Sequence, residues 1–151
     1  MADQKKEKHT ISVLVNDEPG ALARVIGLFS GRGYNIDSLT VAPVNLTKKH
    51  SRIIIVTSGT KMIIEQIIHS LERLIQVKKV IDLTTGNSTS ERELALVKVT
   101  LKNNKINLLK KAAKKYKAKL IFHNLKKYAF EITNSPDIIN SFIFELNKTG
   151  T

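Results

Sequence analysis

Apolar residues in the first half of the chain follow two different periods, and segments of the two kinds alternate. Short runs rich in β-branched residues predict four strands, and two longer segments with apolar residues at i, i+3, i+4 and i+7 predict two amphipathic helices. In chain order the predicted elements are a strand at His9–Val15, a helix from Pro19 or Gly20 to the pair Gly31 and Gly33, strands at Tyr34–Pro43 and Ser51–Ser58, a helix at Thr60–Gln76 and a strand at Val77–Thr84. The predicted order is therefore βαββαβ.

The second half repeats most of this order after a polar segment. Residues 85–92 read TGNSTSER, a composition typical of a linker. The elements predicted beyond it are a strand at Glu93–Leu101, a helix from about Asn104 to Lys117, strands at Ala118–Asn124 and Lys127–Thr133, and a helix with Ser135 as its N-cap and Pro136 in its first position. This second unit is βαββα, one strand short of the first.

The element order predicts the fold class. A βαββαβ unit of about 75 residues is the ferredoxin-like arrangement, an antiparallel four-stranded sheet with two helices on one face. The sequence thus predicts an α+β protein with a ferredoxin-like domain at 9–84, a linker at 85–92 and a smaller α+β domain at 93–151. Because such small sheets leave their edges unpaired, we expect a homodimer.

Composition narrows the classes of protein. Apolar residues make up 42% of the chain and cysteine is absent, which excludes disulfides and cysteine-based zinc sites. The apolar runs are too short to span a bilayer, and the N-terminal MADQKKEKH lacks the apolar core of a signal peptide. We therefore expect a soluble protein without a membrane partner.

The net charge of +12 is concentrated in the second half. Residues 85–151 carry 13 basic and 5 acidic side chains, and lysine dominates the stretch between Lys110 and Lys119. A solvated face or the codon usage of a gene of low GC content explains this richness, and a binding site for a polyanion such as nucleic acid is the alternative. Because arginine is scarce and tryptophan is absent, the first interpretation is favoured.

Residues for catalysis are not grouped by local spacing. The chain has four histidines, His9, His50, His69 and His123, and they are scattered. Neither a Ser-His-Asp pattern, nor a carboxylate pair, nor metal-ligand spacing is apparent. The sequence therefore predicts no catalytic residues and no metal site.

The segment NDEPGAL, from Asn16 to Leu22, has the chemistry of an amino-acid site. The first amides of the following helix, around Gly20, Ala21 and Leu22, point outward and suit a carboxylate. The side chain of Asp17 can receive an ammonium group, and the amide of Asn35 could bond both groups of the ligand. The alternative is that Asp17 is only an N-cap and the glycines only begin and end a helix.

The motif run PGALARVIGLFSGRGYNIDSLTVAP, continued by SRIIIVTSG and IEQIIHSLERLIQVKKVIDLT, resembles the small regulatory subunits of acetolactate synthase (acetohydroxyacid synthase), whose first domain is an ACT domain. The resemblance covers about residues 10–84 and continues weakly through ERELALVKV. It implies a protein with no active site of its own. Such subunits activate the catalytic large subunit and make it sensitive to feedback by branched-chain amino acids, typically valine.

The resemblance also implies partners and site residues. Thiamine diphosphate, FAD and magnesium would belong to the catalytic large subunit, and this chain would bind no cofactor. The effector would lie between the ACT domains of a homodimer. The contacts carried over are Asp17 with the backbone of Glu18, Pro19, Gly20, Ala21 and Leu22 in one subunit, Asn35 and Ile36 from its partner, and Ala42 and Gln66 along the site.

Two settings and one rival function stay open. The composition suits the cytoplasm of a low-GC bacterium or, for a plastid-encoded gene, the plastid stroma. The rival is a stand-alone amino-acid-sensing ACT protein whose basic second half binds nucleic acid. Nucleic-acid binding that falls steeply with salt would favour the rival.

Overall fold

The structure of the protein is a computed structural model that describes residues 6–45, 49–85, 89–101 and 105–148. It divides into two compact units, Met1–Thr89 and Ser90–Thr151, with the division inside the polar segment 85–92. The first unit contains β1 (Glu7–Asn16), α1 (Ala21–Gly31), β2 (Ser38–Asn45), β3 (His50–Gly59), α2 (Lys61–Glu72) and β4 (Val77–Asp82). The second contains β5 (Glu93–Thr100), α3 (Ile106–Lys115), β6 (Lys119–Asn124), β7 (Lys127–Asn134) and α4 (Pro136–Asn147). The predicted α+β order is confirmed.

The core of the first unit follows from the alternation along its two central strands. The sheet order is β2-β3-β1-β4, and every pairing is antiparallel. Ile11 pairs with Ile55 and Val13 with Ile53, and all four side chains are fully buried. Because successive strand residues point to opposite faces, this one face carries the core. From α1 and α2 it receives Val25, Phe29, Ile64, Ile67 and Leu71.

Two boundaries differ from the predicted ones. Helix α2 ends at Glu72 rather than Gln76, because the chain turns through bonds from the Leu74 amide to Leu71 and from the Val77 amide to Leu74. Strand β2 begins at Ser38 rather than Tyr34. The amide of Tyr34 bonds the last turn of α1 at the carbonyl of Phe29, 2.9 Å away, which holds it out of the strand.

One of the two predicted N-cap side chains makes a capping hydrogen bond and the other does not. The Thr60 hydroxyl accepts a hydrogen bond from the amide of Ile63, as expected of an N-cap. Ser135 occupies the N-cap position of α4 ahead of Pro136, but its side chain makes no capping bond. Helix α3 begins at Ile106, and the predicted start at Asn104 lies outside the described residues.

The second unit is a three-stranded sheet in the order β5-β7-β6, packed against α3 and α4. Its core gathers Leu109 from α3, Phe142 from α4 and Ile132 from β7. Within the described part of the chain, β5 has one strand neighbour, β7, whereas β1 in the first unit has two. The described residues of the second unit follow the predicted order βαββα, one strand fewer than the first unit.

The described helices are short. The longest, α2 and α4, have 12 residues each. In the part of the chain that the structure describes, no helix is both long and apolar enough to cross a membrane.

The turn between β6 and β7 contains a strained leucine. Leu125 has a φ of 49°, in the left-handed region that is unfavourable for a residue with a Cβ. Its side chain is 89% exposed, so burial of the side chain does little to offset this cost. We expect Leu125→Gly to raise the free energy of unfolding of this unit by about 1 kcal/mol, because glycine adopts this conformation without a Cβ clash. Urea unfolding followed by circular dichroism measures the change. Leu125→Ala is the matched control: it removes the same exposed side chain but keeps the Cβ, and an equal gain there would contradict the strain argument.

Candidate functional site

The turn between β1 and α1 is held by backbone hydrogen bonds from both sides. The amide of Asn16 donates to the carbonyl of Gln76 over 2.8 Å, and the amide of Asp17 donates to the carbonyl of Lys49 over 2.7 Å. A third bond, from the amide of Glu18 to the carbonyl of Asn16, closes the turn itself. The backbone of Asp17 and Glu18 is therefore fixed while both side chains remain exposed.

Gly20 places the start of α1 at the surface. It is the N-cap with a φ of 85°, a left-handed conformation that favours glycine, and a Cβ built on it would meet nothing within 4 Å. The helix has no side-chain cap, so the interpretation of Asp17 as an N-cap is wrong. The backbone here is thus open to an approaching group.

The amides at this helix start are only partly free. The amide of Ala21 donates to the carbonyl of Glu18 over 3.1 Å, so the expectation that it points outward unpaired is wrong. Among the residues that the structure describes, the amides of Gly20, Leu22 and Ala23 have no acceptor. Two of the three predicted amides therefore remain for a ligand, and Ala23 adds one that sequence reasoning missed.

The carboxylate of Asp17 also has no partner among the residues that the structure describes. No lysine, arginine or histidine of the described segments lies within ion-pair distance of it. α1 carries no acidic residue in its first turn. Asp17 is therefore an exposed negative charge, three residues before the first unpaired amide of the helix start, that of Gly20.

Asn35 is held in the segment just before β2 by a small network. Its Nδ2 donates to Oδ1 of Asp37 over 2.7 Å, and the hydroxyl of Ser58 donates to Oδ2 of the same carboxylate over 2.7 Å. The buried hydroxyl of Thr57 donates to the carbonyl of Asn35 over 2.6 Å. The side chain of Asn35 is exposed with its orientation set by Asp37, which leaves its Oδ1 and one N–H for other partners.

The two predicted halves of the site lie far apart within one copy. β1 and β3 are antiparallel, with Asn16 opposite His50 and His9 opposite Thr57. Asp17 therefore lies at the His50 end of β3, and Asn35 is bonded at the Thr57 end. At about 3.3 Å per residue these ends are about 23 Å apart. The expectation that Asn35 and the Asp17 turn of the same copy bond one amino acid is therefore wrong.

The remaining predicted residues divide between the two ends. Ala42 is exposed on β2 opposite Arg52, toward the Asp17 end. Ile36 is half-buried against the core, and Gln66 accepts a long hydrogen bond, 3.4 Å, from the hydroxyl of Tyr34. We call Asp17–Leu22 with Ala42 the turn group. Asn35 and Ile36, just before strand β2, and Gln66, on α2, are called the strand group.

Sequence reasoning missed the residues that hold these groups in place. Lys49 and Gln76 fix the turn group through backbone carbonyls, which any residue type supplies, so no pattern points to them. Asp37 and Ser58 orient Asn35 through side chains that look like ordinary strand-end polar residues. Among the described residues, no set of three or more His, Asp or Glu side chains could hold a metal ion.

Both units of the chain match families of known proteins. Residues 11–79 match the family described as "AHAS small subunit-like ACT domain", and residues 92–151 match the family described as "Small subunit of acetolactate synthase". The probable acetolactate synthase small subunit of Archaeoglobus fulgidus is 37% identical over 143 residues, which is 95% of this chain and 88% of that protein. The acetolactate synthase isozyme 3 small subunit of Salmonella typhimurium is also 37% identical, over 95% of this chain and 86% of its own.

A solved structure is similar over nearly the same length. The crystal structure of the acetolactate synthase small subunit from Thermotoga maritima has a TM-score of 0.82 to this one. It is 31% identical in sequence and covers 95% of this chain and 89% of its own. Both units are therefore included in the similarity.

Proposed function

The chain belongs to the family of acetolactate synthase small subunits, and on that premise we propose that it is the regulatory subunit of an acetolactate synthase. In this role it raises the activity of a catalytic large subunit and makes that activity sensitive to a branched-chain amino acid, valine in the first instance. Thiamine diphosphate, FAD and magnesium belong to the catalytic subunit. The chain itself contributes the effector site and no reacting group.

One observation supports the proposed position of the effector site. At the start of α1 the carboxylate of Asp17 is followed by the amides of Gly20, Leu22 and Ala23, and none of these groups has a partner among the described residues. An amino acid carries an ammonium group and a carboxylate a few ångströms apart, and it therefore finds opposite partners in the turn group. The positive end of the helix dipole favours the carboxylate.

The side chain of the effector requires apolar contact. Leu22 is 37% exposed beside these amides, and Ile36 of the strand group is half-buried. Each methylene group of the effector that is buried contributes about 0.8 kcal/mol, so a branched side chain is favoured over alanine by a few kcal/mol at most. This is enough for a preference among amino acids and does not fix which branched-chain one is bound.

The site is completed by a second copy of the chain. Because the turn group and the strand group lie about 23 Å apart within one copy, one ligand touches both only where the turn group of one copy meets the strand group of another. A homodimer with twofold symmetry forms this contact twice, which gives two equivalent sites. The dimer is therefore part of the effector site.

Reconstitution tests the proposed function. The purified chain is mixed with its cognate large subunit, and acetolactate formation from pyruvate is measured with and without valine, leucine and isoleucine. We expect several-fold activation by the chain and a fall in rate with at least one of the three amino acids. A coupling free energy of about 1 to 3 kcal/mol between the sites corresponds to a change of about 5- to 150-fold. No activation and no inhibition would contradict the proposal, and a parallel titration with RNA and DNA at rising salt tests the rival nucleic-acid function.

A further inference from the structure

Helix α3 presents a basic surface to solvent. Its buried residues are Leu109, Ala112 and Ala113, and its solvent side carries four lysines. At about 100° per residue these lysines spread over the arc opposite the buried side. We call them the α3 lysine surface: Lys110, Lys111, Lys114 and Lys115.

Most of this charge is uncompensated. Lys115 is paired with Glu145 of α4 over 2.7 Å, and this hydrogen bond raises the pKa of Lys115 and lowers that of Glu145. Lys110, Lys111 and Lys114 have no acidic partner among the residues the structure describes, and α3 itself contains no acidic residue. Like charges one helical turn apart repel each other, so the isolated helix is weakened by its own surface.

A cleft with an exposed aromatic ring adjoins the lysines. It has a volume of about 640 Å³ between the end of α3 and the middle of α4. Phe144 is 64% exposed there, with the Lys148 ammonium 4.5 Å from its ring centre. Tyr116, Asn140, Ser141 and the Lys115–Glu145 ion pair complete the wall. The cleft therefore offers one large apolar contact with cations and hydrogen-bonding groups around it.

The composition of this region fits a protein partner. An aromatic anchor with charged groups at its rim is typical of protein interfaces. A nucleic-acid groove instead uses arginine and several stacking rings, and here one ring is well exposed and every cation is a lysine. A second copy of the chain is disfavoured at this surface, because its own α3 lysines would repel those of the first copy.

We infer that the α3 lysine surface and the α3–α4 cleft bind an acidic segment of the catalytic large subunit. The inference rests on the proposed function and names the surface of the second unit that makes the contact. Acidic side chains of the partner pair with Lys110, Lys111 and Lys114, and an apolar side chain packs on Phe144. Contacts of this kind raise the rate of association and make the affinity depend on salt.

Charge reversal tests the inference. The Kd for the large subunit is measured without effector by biolayer interferometry at about 50 mM and about 300 mM salt. We expect Lys111→Glu with Lys114→Glu to weaken binding at low salt by at least tenfold, and the wild-type affinity to fall as salt rises. Phe144→Ala should weaken binding at both salt concentrations. The matched control is Lys78→Glu with Lys79→Glu on β4, two exposed lysines of the first unit, and we expect it to bind as the wild type does.

The outcomes separate this inference from the proposed function. A wild-type chain that activates the large subunit while the α3 variant binds and activates equally well would overturn the inference alone. A wild-type chain with no measurable binding would overturn both. If the α3 variant loses binding to RNA or duplex DNA while its Kd for the large subunit is unchanged, the surface belongs to a nucleic acid and the inference is wrong. Circular dichroism of each variant confirms folding, and the salt titration of the wild type tests the inference without any substitution.

Discussion

Pairing an Asp17→Ala copy with an Asn35→Ala copy is expected to restore effector binding that each variant lacks by itself. In the homodimer of either variant, both pockets lack one contact to the ligand. The contact is the Asp17 carboxylate in the first variant and the Asn35 amide in the second. We expect the loss to be at least tenfold in effector affinity, which corresponds to about 1.4 kcal/mol. In the mixed dimer, one pocket receives the intact Asp17 and the intact Asn35, and the other receives both substitutions.

The measurement is effector binding by titration calorimetry on dimers purified through two different tags. The wild type should bind two molecules of effector per dimer, the mixed dimer one, and each single-variant homodimer none at the same concentration. Asn107→Ala is the matched control for Asn35→Ala: it removes the side chain of an exposed asparagine on α3, outside the turn group and the strand group. It should bind the effector as the wild type does.

A second mixed dimer distinguishes a pocket formed between two copies from a pocket formed within one copy. A dimer of a wild-type copy with a copy that carries both substitutions has one damaged group in every pocket formed between copies, and it should bind no effector. If each pocket were formed within one copy, this dimer would bind one molecule and the first mixed dimer none. That result would contradict the proposal that the turn group of one copy meets the strand group of the other.

The order of elements could be predicted from the sequence because it rests on local physics. Apolar periodicity and the placement of proline and glycine gave the eleven elements in the order in which the structure has them. The end of α2 could not be predicted in this way, since the helix stops at Glu72 where the pattern of apolar residues runs on to Gln76. The carbonyls of Leu71 and Leu74 end the helix there by accepting turn bonds, which any residue type could provide.

The residues of the candidate site could be predicted from the sequence, but their positions relative to one another could not. Asp17, Gly20 and the amide of Asn35 were predicted from the residue chemistry, and the resemblance to a known family supplied Ile36, Ala42 and Gln66. That Asp17 and Asn35 lie at opposite ends of β3 depends on the antiparallel register of β1 and β3, a long-range property that local spacing does not encode. The expectation of one pocket within one copy is therefore wrong, and the arrangement across two copies that the resemblance implies stays a prediction.

Phe142→Ala is expected to unfold the second unit and leave the first one folded. Phe142 is fully buried in α4, 6.2 Å from the ring of Phe130 and 5.5 Å from that of Tyr116. Removing a buried phenylalanine side chain costs about 3 to 5 kcal/mol. A unit of roughly 60 residues buries too little surface to have much stability in reserve. The first unit has its own core around Phe29 and shares none of these side chains.

Hydrogen exchange followed by mass spectrometry measures the effect in each unit separately. We expect amide protection to disappear in β5, β7 and α4 of the Phe142→Ala variant and to persist in β1 and β3. Phe144→Ala, two residues along the same helix, is the matched control, because its side chain is 64% exposed and its loss should change the free energy of unfolding by less than about 1 kcal/mol. Phe29→Ala should produce the opposite pattern, with protection lost in the first unit. If either core substitution removed protection from both units together, the two would fold as one cooperative structure and their separate cores would not be separately stable.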